Sequence, residues 1–556
     1  MSVFSIIANK IKEIFKKMVG SRTIENTLHV APVISVEMEN AINLWSNMYK
    51  NKAPWLHEPD AESPVRIVSL GLPAMIASEK ARMVVLEMNS EITTPTKEVE
   101  VENPDYKEPE PDVFGNIIPT TQTPTIMEDQ PIGDTSRAEY LNEQYVKLKD
   151  NLRKQLEYAI AKGGLVIKPY VSQNKNDNTG NVTATIEFDY IQADCFYPLA
   201  FDATGKITEA AFIQSKVDKE YTYRRLEYHK WQNNKVEVVN KVFRAFNNYG
   251  NSANVEDAID LGKEVSLKDV PEWSGLQEKT VINDVEKPLF AYFKMPEGNT
   301  IDMTSPLGVS GYSRAVSLIK DADMQYSRLL WEYEAGEMAI DIDRDAMNFM
   351  DNGNGGQTLP VHLQGRLFRK IDLGESDTYQ PYSPTLRDTS FIQGLNTILM
   401  RIEDVCAISR GTLSDASAEA RTATELKVLK QRSYSANDEI QRALEATLKD
   451  VIYIMNVYAS LYEITPEGEY ETSFEWDDSI LVDVDTELGK QITLLQNGLV
   501  SKQEVRMWYK GETEKQAAAA LAQIDEENAK AMEQNLMEQS NLSNIAAKAK
   551  MQEEEG

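Results

Sequence analysis

Chemistry-bearing side chains are scarce in this chain. Its 556 residues include only two cysteines and four histidines. Cys195 and Cys406 cannot build a disulfide framework, so a reducing compartment is the default. His29, His57, His229 and His362 are scattered without the spacing of a zinc site or of a nucleophile–base pair. No GxxxxGK[ST] string occurs, which excludes a P-loop for nucleotide phosphates. No apolar run approaches the roughly 18 residues of a membrane-spanning helix. The opening "MSVFSIIANKIKEIFKKMVG" alternates apolar residues and lysines at helical spacing. It lacks the unbroken apolar core and small-residue cleavage site of a signal peptide, and reads as an amphipathic packing helix. The expectation is a soluble chain with no membrane partner. Basic residues are also under-represented: 58 Lys and Arg stand against 88 Asp and Glu, a net charge of −30. A protein that grips nucleic acid by neutralising phosphates leans the other way. If this chain meets DNA, it must repel most of it and hold little.

What is present is ordinary core material, with hydrophobic residues at 42% and charged residues at 26%, enough for several structural regions. Met38, Ile42, Trp45 and Met48 share a helical face between Val36 and Lys52, and a second helix is expected over about Leu70 to Asn89. Residues 93–134 are rich in proline, threonine and acid, and read as a flexible insertion. Helical period resumes over Ser136–Ala161 and stops at Gly163-Gly164. The period then switches to two, predicting a β meander over 164–246 parted by turn-rich strings such as "DATGK". A long helix is expected over Gly311–Met338. A mixed region, 339–388, follows with "MAIDID", "TLPVHL" and "RLFRKIDL" as strand candidates, and another helix over about Ser390–Ile408. After a polar loop, Thr422 and Glu425 fit a capping box opening a helix with an apolar seam from Ile440 to Tyr462. Ser501 with Glu504, and Thr513 with Gln516, mark short helices near the end, before a polar tail.

Strings that imitate catalytic or binding motifs fail on detail. "DNGNGG" is followed by Gln357-Thr358 where a phosphate cradle needs lysine and a helix, so it reads as a turn. Asp341, Asp343 and Asp345 match the first ligand positions of an EF-hand loop, but Ala346 replaces the turn glycine and Asn352 the bidentate glutamate. The aromatic and basic run "YTYRRLEYHKW" could stack bases, but as a strand it packs its aromatics across the sheet. No catalytic, metal or cofactor site is expected.

The order of elements is the informative feature. Helix, small α/β excursion, helix, polar loop and long helix follow one another between Gly311 and Tyr462. With the strings "NLWSNMYKNKAPW", "AKGGLVIKPYV", "YIQADCFYPLAFDATGKITEAAF", "PLFAYFKMPEGNTIDMTSPLGVSGYSRA", "ARTATELKVLKQRSY" and "LLQNGLVSKQEV", this order resembles the portal proteins of tailed bacteriophages, particularly long-tailed phages of Gram-positive bacteria. The resemblance implies an α+β chain of portal type. Its wing would span 1–306, its stem helices 307–338 and 389–409 and its clip 339–388. The channel loop would span 410–421, the long wing helix and following strand 422–485, and the helical crown 486–535 before a flexible tail, 536–556. It implies a ring, usually of twelve copies, at one capsid vertex, through which double-stranded DNA enters during packaging and leaves at ejection. Implied partners are the terminase large subunit, a head–tail adaptor, the major capsid protein and a scaffold.

A loop lining a channel must touch a moving duplex without holding it. Thr412, Ser414 and Ser417 offer short contacts, and Arg410 and Arg421 are opposed by Asp415 and Glu419. None makes the bidentate grip on base edges that fixes sequence. Twelve copies would carry a charge of about −360, and wall charges within a Debye length of about 8 Å repel phosphates. Arg344, Arg366, Arg369 and Lys370 cluster in the clip, where they would face terminase, adaptor or entering DNA, or else make ion pairs between copies. Two rivals remain at this level: an oligomeric helical scaffold or adaptor without a channel, and a carboxylate-metal hydrolase built on Asp341, Asp343 and Asp345.

Overall fold

The computed structural model describes residues 24–25, 27–58, 66–86, 88–102, 125–175, 182–218, 220–246, 262–343, 368–371, 379–415, 423–476, 484–511 and 517–524. They form an α+β chain in two compact units, Met1–Trp476 and Asp477–Gly556.

The first unit is organised around helix α3, Ser136–Lys162. Leu141, Tyr145, Leu148, Leu152, Leu156 and Ile160 step by three or four residues and are all buried, so one apolar stripe faces the core. Helices α1 (Val36–Tyr49) and α2 (Leu72–Leu86) pack beside it. The helix stops where Gly163 takes a left-handed φ of +93°. A strand begins at once, at Gly164, and Gly308 presses so closely on Gly163 that a Cβ on either would overlap the other's carbonyl. That contact seats the segment leading into the next long helix.

The strands divide into separate sheets, where the sequence had predicted one meander over 164–246. β4 (Gly164–Lys175) and β5 (Val182–Gln192) pair with each other and with β12 (Ala291–Lys294). β6 (Phe196–Phe201), β7 (Ile207–Asp218), β8 (Tyr221–Gln232) and β9 (Lys235–Phe246) form a second, antiparallel sheet, with β10 (Lys263–Val265) and β11 (Lys279–Asn283) both on β9. The break falls at Ala193–Cys195, a single 3-10 turn after β5. Periodicity of two cannot distinguish one sheet from two, because it records which face is buried and not which strand is the neighbour.

A charged cluster joins the two sheets. Lys168 on β4 donates to Glu227 on β8 at 2.7 Å, and the Arg225 guanidinium lies 2.8 Å from the same oxygen. His229 Nε2 is 2.7 Å from the other Glu227 oxygen, while Asp189 is 3.8 Å from the Lys168 ammonium. Burial opposes the Glu227 charge. Lys168 first, then His229 and Arg225, outweigh that and hold its carboxyl well below the usual range. Burial lowers the His229 pKa against the pull of Glu227. Both groups therefore bind protons less readily folded than unfolded, so stability falls as pH drops. The loss begins below the ordinary histidine value of 6.5 and continues through the carboxylate range. The thermal midpoint is expected to fall steadily from pH 7.5 to pH 5. The His229→Gln variant should flatten the upper part of that slope, and an unchanged slope would remove His229 from the account.

The stretch 93–134, expected to be a flexible insertion, carries a strand towards each end. β2 (Thr96–Glu102) and β3 (Thr125–Pro131) form an antiparallel ribbon. The Lys-Glu-Val-Glu-Val-Glu alternation satisfies a strand's period of two, which the acidic composition had masked. β1 (Met88–Thr93) takes in only the last two residues of the second expected helix, Met88 and Asn89, and pairs with β16 (Glu471–Trp476).

The second unit holds α7 (Val484–Gln496), α8 (Lys502–Lys510) and a helical stretch over 517–524. The Ser501 capping box is formed: Ser501 Oγ accepts from Glu504 N at 3.1 Å, and Glu504 accepts from Ser501 N at 2.7 Å. The opening amphipathic stretch, Thr422, Thr513 and the polar tail lie outside the described residues. No described helix is long and apolar enough to cross a membrane.

Candidate functional site

The helix–excursion–helix–loop–helix order is present in the structure. α4 spans Val316–Ala335 and α5 spans Asp388–Cys406, packed as a pair, and α6 spans Ala423–Leu461. α4 begins five residues later than the expected Gly311, because Ser313–Ala315 form a 3-10 turn. One contact ties the two helices to each other, and a second ties α4 to the segment before α2. Glu332 near the end of α4 accepts from Arg387 Nε at 3.1 Å and from its terminal nitrogen at 2.7 Å, just before α5 begins. Asp323, buried in the middle of α4, accepts from Leu70 N at 2.8 Å and Trp55 Nε1 at 2.9 Å. Burial pushes its carboxyl pKa up, and these two donors only partly offset that.

Much of the pair's apolar surface is uncovered within one chain. Trp331 and Tyr333 are exposed at the far end of α4, Met338 just past it, and Ile392 and Val405 on α5. On α5 the apolar face is only partly internal: Ile402, Glu403 and Cys406 are buried near its end.

Between α4 and α5 lies a three-stranded sheet in the order β14–β13–β15, formed by Ala339–Asp343, Phe368–Ile371 and Tyr379–Tyr382. β13 and β14 coincide with "MAIDID" and "RLFRKIDL", whereas β15 had no sequence signal. Arg369 and Lys370 occupy consecutive β14 positions opposite Asp341 and Ile342. Arg344, Arg366, Asp345 and "TLPVHL" lie outside the described residues. Asp341 and Asp343 stand on extended strand backbone, which is not the coiled loop that wraps calcium. No group of three or more acidic, histidine or cysteine side chains is gathered for a metal among the described residues.

The polar loop is held far more firmly at its start than its composition suggests. α5 closes with Ala407 in the left-handed region, φ +54°, while Ala407 N and Ile408 N both donate to Glu403 O. The chain is thereby turned back along α5. Arg410 pairs with Asp404 through two hydrogen bonds of 3.0 and 2.8 Å. Thr412 Oγ1 donates to Ser409 O at 2.7 Å, and its side chain is exposed. Ser414 is buried, and its hydroxyl donates to Glu403 Oε2 at 2.7 Å. Asp415 is exposed, and its N–H donates to Asn396 Oδ1 at 2.8 Å. Ser417, Glu419 and Arg421 lie outside the described residues.

Of the expected loop residues, Arg410, Thr412, Ser414 and Asp415 are thus brought together on the end of α5. Arg410 is already neutralised by Asp404. The residues that arrange them, Asn396, Glu403 and Asp404, were not anticipated. Their one signal is that Asn396 and Glu403 sit seven residues apart, two turns along one helix face.

After the loop, α6 runs 39 residues. Ile440, Leu444, Leu448, Val451 and Met455 of the expected seam are buried, and Tyr462 at its end is exposed. The cavity of about 200 Å³ near Lys168, Arg225 and Glu227 has its charges paired among themselves.

These features define an α+β chain in which a braced pair of helices carries a small sheet at one end and a tethered loop at the other. Residues 41–534 match the family of phage portal proteins, SPP1 Gp6-like, and the chain belongs to that family. A comparison with individually curated proteins finds no match. Membership makes the chain a structural phage protein of the virion capsid, in which the portal is an oligomeric ring.

Proposed function

We propose that about twelve copies close into a ring at one capsid vertex. The ring conducts double-stranded DNA inward during packaging and outward at ejection, without sequence preference. In this reading α4 and α5 are the stem, the β14–β13–β15 sheet belongs to the clip that docks the terminase large subunit and later the head–tail adaptor, and the loop from Arg410 faces the channel. The wing meets the major capsid protein, and a scaffold during assembly. The clip cations Arg344, Arg366, Arg369 and Lys370 serve these dockings.

The observation that carries the reading is the ordered helix–sheet–helix–loop–helix run inside a chain of the portal family. Two further features support it. The exposed Trp331, Tyr333, Met338, Ile392 and Val405 offer a second copy an apolar surface to cover. The charge of −30 per chain suits a wall along which DNA slides and does not stick.

Purified protein viewed from the top by negative stain should give closed rings with a central hole, at a mass of about twelve chains. Solitary chains or open filaments would defeat the proposal, and a closed assembly with no hole would favour the scaffold reading. Excising Ala416–Ala420 should leave the rings intact and impair packaging or genome retention. That cut spares the residues bonded to α5. Wild-type genome length in such particles would remove the loop from the channel's work.

A further inference from the structure

Glu403 is a fully buried carboxylate one turn from the end of α5, and its contacts do not resemble those of an ordinary core acid. One oxygen accepts from Leu413 N at 2.6 Å and Ser414 N at 2.9 Å. The other accepts from Ser414 Oγ at 2.7 Å. Ser414 Oγ in turn accepts from Gly411 N at 3.2 Å, so the carboxylate organises the loop from Gly411 through Ser414. Consecutive N–H groups converging on one anion make a small backbone nest, with the protein's own glutamate as its occupant. The backbone carbonyl of the same residue closes α5 through Ala407 and Ile408. One residue therefore ends the helix and fastens the loop that follows it.

Two neighbours on α5 extend the grip. Asn396 takes Asp415 N, and Asp404 takes the Arg410 guanidinium. Leu413 packs against the main core from between these points. Hydrogen bonds to an ionised acceptor are stronger than neutral ones, and breaking them would leave a buried charge unsatisfied. The loop root consequently moves with α5 and does not swing on its own.

Resting on the channel reading, we propose that Glu403 is the positioning residue of the channel loop: its buried carboxylate anchors the loop root at Leu413 and Ser414 to stem helix α5, so that passing DNA cannot drag the root away. Asp415 is then a fixed point of the root, and Thr412 and Arg410 are presented from a rigid base. The anchor touches no DNA itself.

Hydrogen exchange on the assembled protein tests the anchor, and packaging tests its use. In Glu403→Ala, the amides of Leu413 and Ser414 should exchange about tenfold faster or more, the effect of losing charge-assisted bonds. Amides of α4 and the middle of α6 should be unchanged. Glu403→Gln keeps an acceptor oxygen and should fall between Glu403→Ala and the wild type. Ser414→Ala, which removes only the hydroxyl contact, should accelerate exchange less than Glu403→Ala and guards against a variant that fails to fold. Phage carrying Glu403→Ala should assemble rings yet lose packaged DNA, with Glu403→Gln partly restoring retention. Unchanged exchange at Leu413 and Ser414, or acceleration spread evenly over α4 and α6, overturns the anchor. Local acceleration with wild-type retention overturns the positioning role alone. Wild-type retention in the Ala416–Ala420 excision is what would instead overturn the channel reading.

Discussion

Glu227→Gln should cost the folded chain about 3–5 kcal/mol, the range for breaking a buried ion pair from one side. The carboxylate serves two cations and a histidine across two different sheets. Its amide replacement leaves Lys168, with a side chain only 5% exposed, and Arg225, 11% exposed, facing each other without their shared counter-charge. Asp189, 3.8 Å from the ammonium, compensates only in part. The mechanism is the stranded cations and not the missing carboxylate itself. Adding Lys168→Met to the variant should therefore recover a measurable part of the loss, whereas independent sites would simply add. Denaturant unfolding followed by tryptophan fluorescence reads both. A shift under about 1 kcal/mol in the single variant would reduce the cluster to the standing of a surface pair. Because Lys168 lies on β4 and Glu227 on β8, the loss should appear as parting of the two sheets. Exchange should rise along β4 and β8 before it rises in α3.

How much of this architecture could be read beforehand depended on how far each residue's partners lie along the chain. α3 and α6 were legible because Leu141 to Ile160 and Ile440 to Met455 each repeat a helical period, and burial on one face is enough to define them. The Ser501 box was legible because both its hydrogen bonds close within three residues. Strand partners were not. β1 joins β16 across most of the chain, and β12 reaches back to β4, pairings that nothing in the local alternation specifies. The run of helix, small sheet and helix was legible as an order of elements, yet the tie from Asp323 on α4 to Leu70 and Trp55 required the fold.

The loop shows the same limit at closer range. Its Thr412 and Ser414 read as short contacts to a duplex and its Arg410 as opposed by Asp415 and Glu419, but Ser414 is buried, and Arg410 is tied to Asp404. The turn that brings them back to α5 depends on Ala407 at positive φ, where a sequence reader looks for glycine. Glu463 does the same after α6, at φ +49°. Neither residue type announces a left-handed turn, so the anchoring role of Glu403 could not be seen without the structure.

Arg137→Ala should be as damaging as the Glu227 change, for a different reason. Arg137 lies in the first turn of α3, where its charge opposes that helix's own dipole. It is nonetheless 1% exposed, and its guanidinium is spent on the far end of α6. Nε donates to Pro466 O at 2.9 Å, and the terminal nitrogens donate to Thr465 O at 3.1 Å and Asn456 O at 3.3 Å. A cation there suits the negative end of α6 and holds the turn that launches β16. Truncation strips the donor from three carbonyls at ~1–3 kcal/mol each, a loss of about 4 kcal/mol or more. Arg137→Lys should recover little, since one ammonium cannot span the fork of acceptors. Exchange should accelerate first over 464–476 and then in β1, its strand partner, while the β6–β9 sheet keeps its protection. Intact protection over 464–476 in Arg137→Ala would mean that the α6 seam alone fixes the end of the helix. The bond between α3 and α6 would then be packing, with the guanidinium incidental to it.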